Sequence, residues 1–421
     1  MKLRSLFLAS LAALAMVSCS NENDPAIDGG EVNVEKTALL DLGFVFPKAA
    51  ETRATEAGLA TEYEFKKIAI IMDYATTPPT RVVEILNRDA FSPVNSAVGS
   101  DNVVIYTKQA IKVAAGTATI HAIINPDKTA AELAGVTYAN MTLEPTYTAL
   151  DALTASGMSA ANDNFMMTNA TAGIEKEFTE FKTTNVEISV TRVVAKLMET
   201  SGTATFTNVP TDVEEVTSKA TKELKIKLVR AAYVNLAKKS SVFPGDSPIA
   251  TSWLFEYPAS WDNLTSSDGG FDYVTLGSAN SINYCFENGD THSTGIIYEA
   301  EATWGEQQAA QTFYIAAGKL YLTYEALKAD FRDCPEQDAS AKAFHDALIR
   351  KYEGGKCYYY QTINTTGAAG QIKRNNVYKM SVTGVLKIGN PTIITEKDET
   401  LMNLSIKIDP WTVNENAFEL D

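Results

Sequence analysis

Hydrophobic and polar residues alternate with a period of two in many short segments of the chain. In 40–46, Leu40, Leu42, Phe44 and Phe46 fall on one face, and Asp41, Gly43 and Val45 on the other. That is the pattern of a strand with one buried face. Comparable stretches lie at 65–74, 103–106, 118–124, 186–198, 225–234, 273–276, 295–304, 311–315, 377–388 and 401–408. Short strands at this spacing, with turn residues between them, predict sandwiches and not a parallel sheet with crossover helices. Helical periodicity is confined to 129–134, capped by Asp127, and to 145–155, 324–330 and 339–352, the last ending at Gly354 and Gly355. The expected fold class is mainly β: two β-sandwich domains with a few short helices. A polar stretch at 200–221 follows the long strand 186–198, so the domains are expected at 54–200 and 201–421. The segment 39–46 completes the first of them.

The first residues break this pattern. Lys2 and Arg4 precede an apolar run over 6–17 that is interrupted by Ser10. It is shorter than the ~20 residues a bilayer span needs and reads as a secretory signal, residues 1–18. Met16, Val17 and Ser18 before Cys19 form a lipobox-like sequence, which makes Cys19 the expected acylated first residue of an exported lipoprotein. Residues 20–35 are polar, acidic and aperiodic, the composition of a tether.

The chain has 421 residues, with 36 Lys and Arg against 52 Asp and Glu, a net charge of −16. Such a field repels polyanions, so nucleic acid is not an expected partner. The chemistry-bearing residues are sparse. His121 lies in a strand pattern, while His292 and His345 stand alone, and no two share a metal-ligand spacing. No nucleophile elbow, P-loop, dinucleotide fingerprint or EF-hand loop is present. With Cys19 assigned to lipid, Cys285, Cys334 and Cys357 remain, an odd number that makes no disulfide framework. One bridge among them and three buried thiols are both open readings. No catalytic residue, metal or cofactor is expected. Trp253, Trp261, Trp304 and the run Tyr358, Tyr359 and Tyr360 could line a glycan site or pack within the sheets.

The two chain ends carry the sharper expectation. Arg53 stands in an aperiodic stretch of small and polar residues, 48–58, between two strand patterns. Such a stretch is open to proteolysis, and the bond between Arg53 and Ala54 suits an Arg-specific protease. Cleavage there frees the prosegment 19–53 with its strand residues Leu40, Leu42, Phe44 and Phe46. Losing that strand would expose an apolar groove with unpaired backbone groups. At the other end, Leu404, Ile406 and Ile408 alternate with polar residues, followed by Trp411 and Val413. This tail, 401–421, can serve as a donor strand that adds to a neighbouring sheet.

Five groups of residues carry a family resemblance. They are the lipobox ending at Cys19; Arg53 after the first strand; and Phe165, Met166, Met167, Thr168 and Asn169 with the strand from Val186 to Leu197. The others are Tyr284, Cys285, Phe286, Glu287 and Asn288, and the C-terminal pair Arg374-Asn375-Asn376-Val377-Tyr378 and Ile406-Lys407-Ile408-Asp409-Pro410-Trp411. In order and spacing they resemble the Bacteroidetes fimbrillins, the major subunits of type V pili. The resemblance implies two transthyretin-like sandwiches and export as a lipoprotein, acylated (as with palmitate) and carried to the outer membrane and cell surface. It also implies cleavage after Arg53 and polymerisation by donor-strand exchange into a fimbrium that serves adhesion and biofilm. The implied partners are other copies of the chain, anchor and tip subunits, an Arg-specific protease, and the outer membrane through lipid before cleavage. Having both Arg53 and a strand-like tail favours a stalk subunit over a tip or accessory one. The alternative from another class is a glycan-binding surface lipoprotein held by Cys19. An enzyme would require a cleft of convergent, perturbed titratable groups.

Overall fold

The computed structural model describes residues 37–47, 65–92, 102–135, 142–143, 165–216, 223–244, 253–261, 269–277, 282–288, 292–365, 368–369, 371–393 and 401–410, apart from 172, 239 and 259. The molecule is mainly β. Its first part holds β1 (Thr37–Pro47), β2 (Lys67–Tyr74), β3 (Thr80–Asn87), β4 (Asn102–Tyr106), β5 (Ile111–Ala114) and β6 (Gly116–Ile124). After the short helix α1 (Ala130–Ala134) come β7 (Met167–Asn169), β8 (Ile174–Phe178) and β9 (Thr183–Arg192). These nine strands form one sheet in the order β3-β2-β6-β7-β9-β1-β4, with β5 also pairing β1 and β8 pairing β6.

The second part holds β10 (Val194–Glu199), β11 (Leu224–Val234), β12 (Ile282–Phe286), β13 (Gly295–Trp304), β14 (Phe313–Ala316) and β15 (Lys319–Tyr321). The helices α2 (Tyr324–Asp330) and α3 (Ala341–Asp346) follow, then β16 (Arg350–Tyr352), β17 (Lys356–Thr362), β18 (Asn376–Val385) and β19 (Met402–Pro410). One sheet runs β12-β10-β18-β19, and another has β11, β13 and β17 side by side. A third joins β15, β14 and β16. Tyr298 on β13 donates to Glu199 Oε1 on β10 at 3.1 Å, fixing one layer on the other.

The expected strand 186–198 is two strands. Thr183 to Ser189 of β9 pair with β1, whereas β10 pairs with β12 and β18. The chain bends at the fully buried Val193, whose N–H donates to the Met166 carbonyl at 3.1 Å. One alternating run therefore feeds two sheets. Three of the groups quoted for the resemblance, at 165–169, 284–288 and 374–378, meet beside this bend. Arg192 donates to Asn375 Oδ1 at 3.2 Å, and the Phe165 and Tyr284 rings meet edge-on at 4.9 Å. Arg374, nearly buried, forms an ion pair with Glu287 and donates to the carbonyls of Ser241 and Val242. Asn288 donates to the Asn235 and His292 carbonyls and to Thr294 Oγ1. The Arg374 guanidinium and the Asn288 amide thus find acceptors, as burial demands.

Two helix expectations need correction. α1 is capped by Thr129 and not Asp127: the Thr129 hydroxyl accepts from the Glu132 N–H while Glu132 accepts from the Thr129 N–H, a capping box. The helix expected over 339–352 ends at Asp346, because Leu348 takes φ +59° and β16 then joins β14. The candidate helix 145–155 lies outside the described residues. Cys285, Cys334 and Cys357 are all free and buried. Burial pushes the Cys285 thiol well above its ordinary range and Cys357 up to about 12, so both stay neutral packing groups.

Candidate strand-exchange site

β1 lies inside its sheet with a strand on each side. Leu39 to Val45 run parallel to Thr183 to Ser189 of β9. On the opposite edge, Thr37 to Leu40 pair antiparallel with β5, and Gly43 to Pro47 with β4. Both backbone edges are therefore used. At the junction of β4 and β5, Thr107 N–H donates to the Leu42 carbonyl at 2.9 Å. The Leu42 N–H in turn donates to Thr107 Oγ1 at 3.3 Å.

The alternation seen in the sequence becomes a buried row. Leu40, Leu42, Phe44 and Phe46 are at most 1% exposed. Phe44 meets Phe91 edge-on at 5.8 Å, and Phe91 meets Phe65 at 5.6 Å. Burying each such side chain contributes about 1.5–3 kcal/mol. Emptying the slot thus forfeits on the order of 10 kcal/mol of burial, besides leaving two strand edges unpaired. A slot vacated by β1 strongly favours refilling by another strand.

β19 has the opposite situation. It is the edge strand of its sheet, paired antiparallel to β18 from Met402↔Val385 to Pro410↔Asn376, with an irregularity between Val382 and Gly384. Its root is fixed: Leu401 and Met402 are buried, and Gln361 Nε2 donates to the Met402 carbonyl at 3.0 Å. Beyond the root, Leu404 and Ile406 are half-buried against the core, and Asn403, Ser405 and Lys407 are exposed. Ile408 pairs through its backbone with Tyr378. Cys19, Arg53, Ala54, Trp411 and Val413 lie outside the described residues.

The other candidates have packing roles. Trp304 and Tyr358, Tyr359 and Tyr360 are buried on β13 and β17, which removes them from any exposed glycan face. Trp253 stacks on His292 at 3.9 Å, and Trp261 tilts against His345 at 5.2 Å beside an open cleft of about 860 Å³. His121 sits on β6 with Phe243 edge-on at 5.1 Å, and burial holds it neutral, with its pKa lowered to about 4. Among the described residues no group of three or more His, Cys, Asp or Glu could hold a metal ion, and no helix is long and apolar enough to cross a membrane.

Strand β3, at the end of the nine-stranded sheet, escaped the sequence reading, and the pattern at 103–106 marks Tyr106 on β4 as no more than the end of a strand. β3 pairs Val82-Val83 and Ile85-Leu86 without alternation, and it is half-buried along most of its length. Tyr106 matters through what it covers, which no local pattern reveals.

Residues 350–417 match the family model described as major fimbrial subunit protein type IV, fimbrillin, C-terminal. That segment holds β16 to β19. The curated proteins contain no match to the chain. Among solved structures, a candidate cell adhesion protein of Parabacteroides distasonis has 12% identity and a TM-score of 0.49, covering 89% of this chain and 100% of its own. A fimbrilin of Porphyromonas gingivalis has 16% identity and a TM-score of 0.47, covering 91% and 99%. The tip fimbrial protein of Porphyromonas gingivalis, truncated at its C-terminus, has 12% identity and a TM-score of 0.38, covering 88% and 100%. Residues 350–417, the segment from β16 to β19, are thus similar to the C-terminal part of the major fimbrial subunits.

Proposed function

We propose that the chain is a structural subunit of a surface fimbria, probed into place by strand exchange and acting in adhesion. It is exported as a lipoprotein on Cys19, cut between Arg53 and Ala54, and released from its lipid with the prosegment. The observation that carries this reading is the position of β1. It is an interior strand with both edges paired, yet its covalent link to the other described strands is the segment 48–64, in which Arg53 is the sole arginine. One cut there leaves β1 held by noncovalent contacts alone. The edge strand β19 of a second copy, with Leu404, Ile406 and Ile408 at the same period, is the matching donor. Trp411 and Val413 extend it.

A head-to-tail contact of this kind does not close on itself and so builds filaments. Having both a cleavable strand and a donor tail favours a stalk subunit, with anchor and tip subunits at the filament ends. The two domains are proposed at 54–200 and 201–421, the first completed by 39–46 until cleavage.

The test is treatment of the purified precursor with an Arg-specific protease, followed by gel electrophoresis without boiling and by electron microscopy. Wild type should give ladders and fibres. Arg53→Ala should remain monomeric under the same treatment. Ladders from Arg53→Ala equal to those of wild type would refute cleavage at this bond as the trigger.

A further inference from the structure

At Gly43 the interior strand β1 carries no side chain, and a neighbour occupies the space above it. Tyr106 is the antiparallel partner of Gly43 on β4. A Cβ at position 43 would stand 2.7 Å from Tyr106 Cε1 and 3.2 Å from Val104 Cγ1. The Tyr106 hydroxyl then donates to Glu187 Oε1 at 2.5 Å. Glu187 is the parallel partner of the same Gly43 on β9. The hydrogen bond therefore forms a bar from β4 to β9 across the outer face of β1, directly over its glycine.

We propose that this bar sets the register of the strand that replaces β1, and that Ser405 of a second copy of this chain comes to rest beneath it. The inference rests on the strand-exchange reading above. The outward residues of β19 are Asn403, Ser405 and Lys407, all exposed at home. Ser405 is the smallest of the three. Its Cβ needs a small lift of the Tyr106 ring, which sits at the end of a half-buried side chain. The longer Asn403 or Lys407 would have to break the bar.

Placing Ser405 at the level of Gly43 puts Leu404 and Ile406 at the levels of Leu42 and Phe44, in whichever direction the donor runs. A slip of one residue turns the polar face toward the core. A slip of two brings Asn403 or Lys407 under the bar. One register satisfies both faces.

The test uses the full-length precursor with Ser405→Trp, Lys407→Trp, Tyr106→Ala and the double variant Ser405→Trp/Tyr106→Ala. Residues 405 and 407 are exposed on an edge strand, so both tryptophan variants should melt like wild type. After Arg-specific cleavage, Ser405→Trp should slow ladder formation about tenfold, the scale of an overpacking penalty. Lys407→Trp should assemble like wild type, and the double variant should recover the rate of Tyr106→Ala alone. The proposal is overturned if Ser405→Trp assembles normally, or if it stays blocked once Tyr106 is removed. Cleaved wild type that forms no ladders would overturn the strand-exchange reading itself and this inference with it. That result is distinct from a block seen only in Ser405→Trp.

Discussion

His121 is a buried base whose charge the fold does not accommodate. On β6 it has Phe243 edge-on and backbone so close to its ring that a Cβ at Gly173 would come within 2.4 Å of it. Burial is the largest influence on its pKa and lowers it to about 4, while Asp73 raises it and Arg81 lowers it. An unfolded chain takes up this proton near pH 6.5. Between about pH 6.5 and 4 the unfolded state therefore binds a proton that the folded state refuses, and stability falls as the pH falls. Glu199 acts in the opposite sense, since burial raises its pKa and so favours folding on acidification. The contribution of His121 is isolated by comparing wild type with His121→Gln. Urea midpoints measured near pH 7 and pH 4.5 should fall further for wild type than for the variant. Equal falls would mean that His121 is not a source of acid sensitivity.

At the level of elements, β1 and β19 share a period of two but differ in how their backbones are held. β1 is bonded along both edges with four side chains at most 1% exposed. β19 is bonded along one edge, with Leu404 and Ile406 half-buried. In hydrogen exchange on the uncut precursor, amides of β1 should be protected close to the global unfolding limit, while those of 403–407 exchange through local opening and faster. Cleavage at Arg53 should then lower protection in β1, β4 and β9 together. Protection of β19 equal to that of β1 would contradict a donor strand ready to leave. The same pair of strands shows what the sequence made legible. Alternation located β1, β19 and the alternating halves of β11 and β13, where one face meets a core and the other is less buried. The break at Val193 was hidden, because the alternation continues through the bend while the pairing partners change from β1 to β12 and β18. The bar over Gly43 was hidden as well. Tyr106 and Glu187 are 81 residues apart and become neighbours only through the register of β1 between them.

For the whole molecule, charge bears on when assembly occurs. The proposed cleavage after Arg53 would remove five basic and seven acidic residues, leaving 31 basic against 45 acidic, a net charge of −14. Each subunit so cut would repel its own kind, and this repulsion would act before any strand enters a slot. Refilling the slot recovers burial on the order of 10 kcal/mol, which screened repulsion between two surfaces does not approach. Charge should thus govern the rate of encounter, with little influence on the finished joint. After cleavage, raising salt from about 20 to about 200 mM shortens the Debye length from roughly 20 to below 10 Å and should accelerate ladder formation severalfold. The fibres, once formed, should resist dilution equally at both salt concentrations. A rate that falls with salt would instead indicate complementary charged patches steering the subunits together, and the net charge would then not be the barrier to premature association.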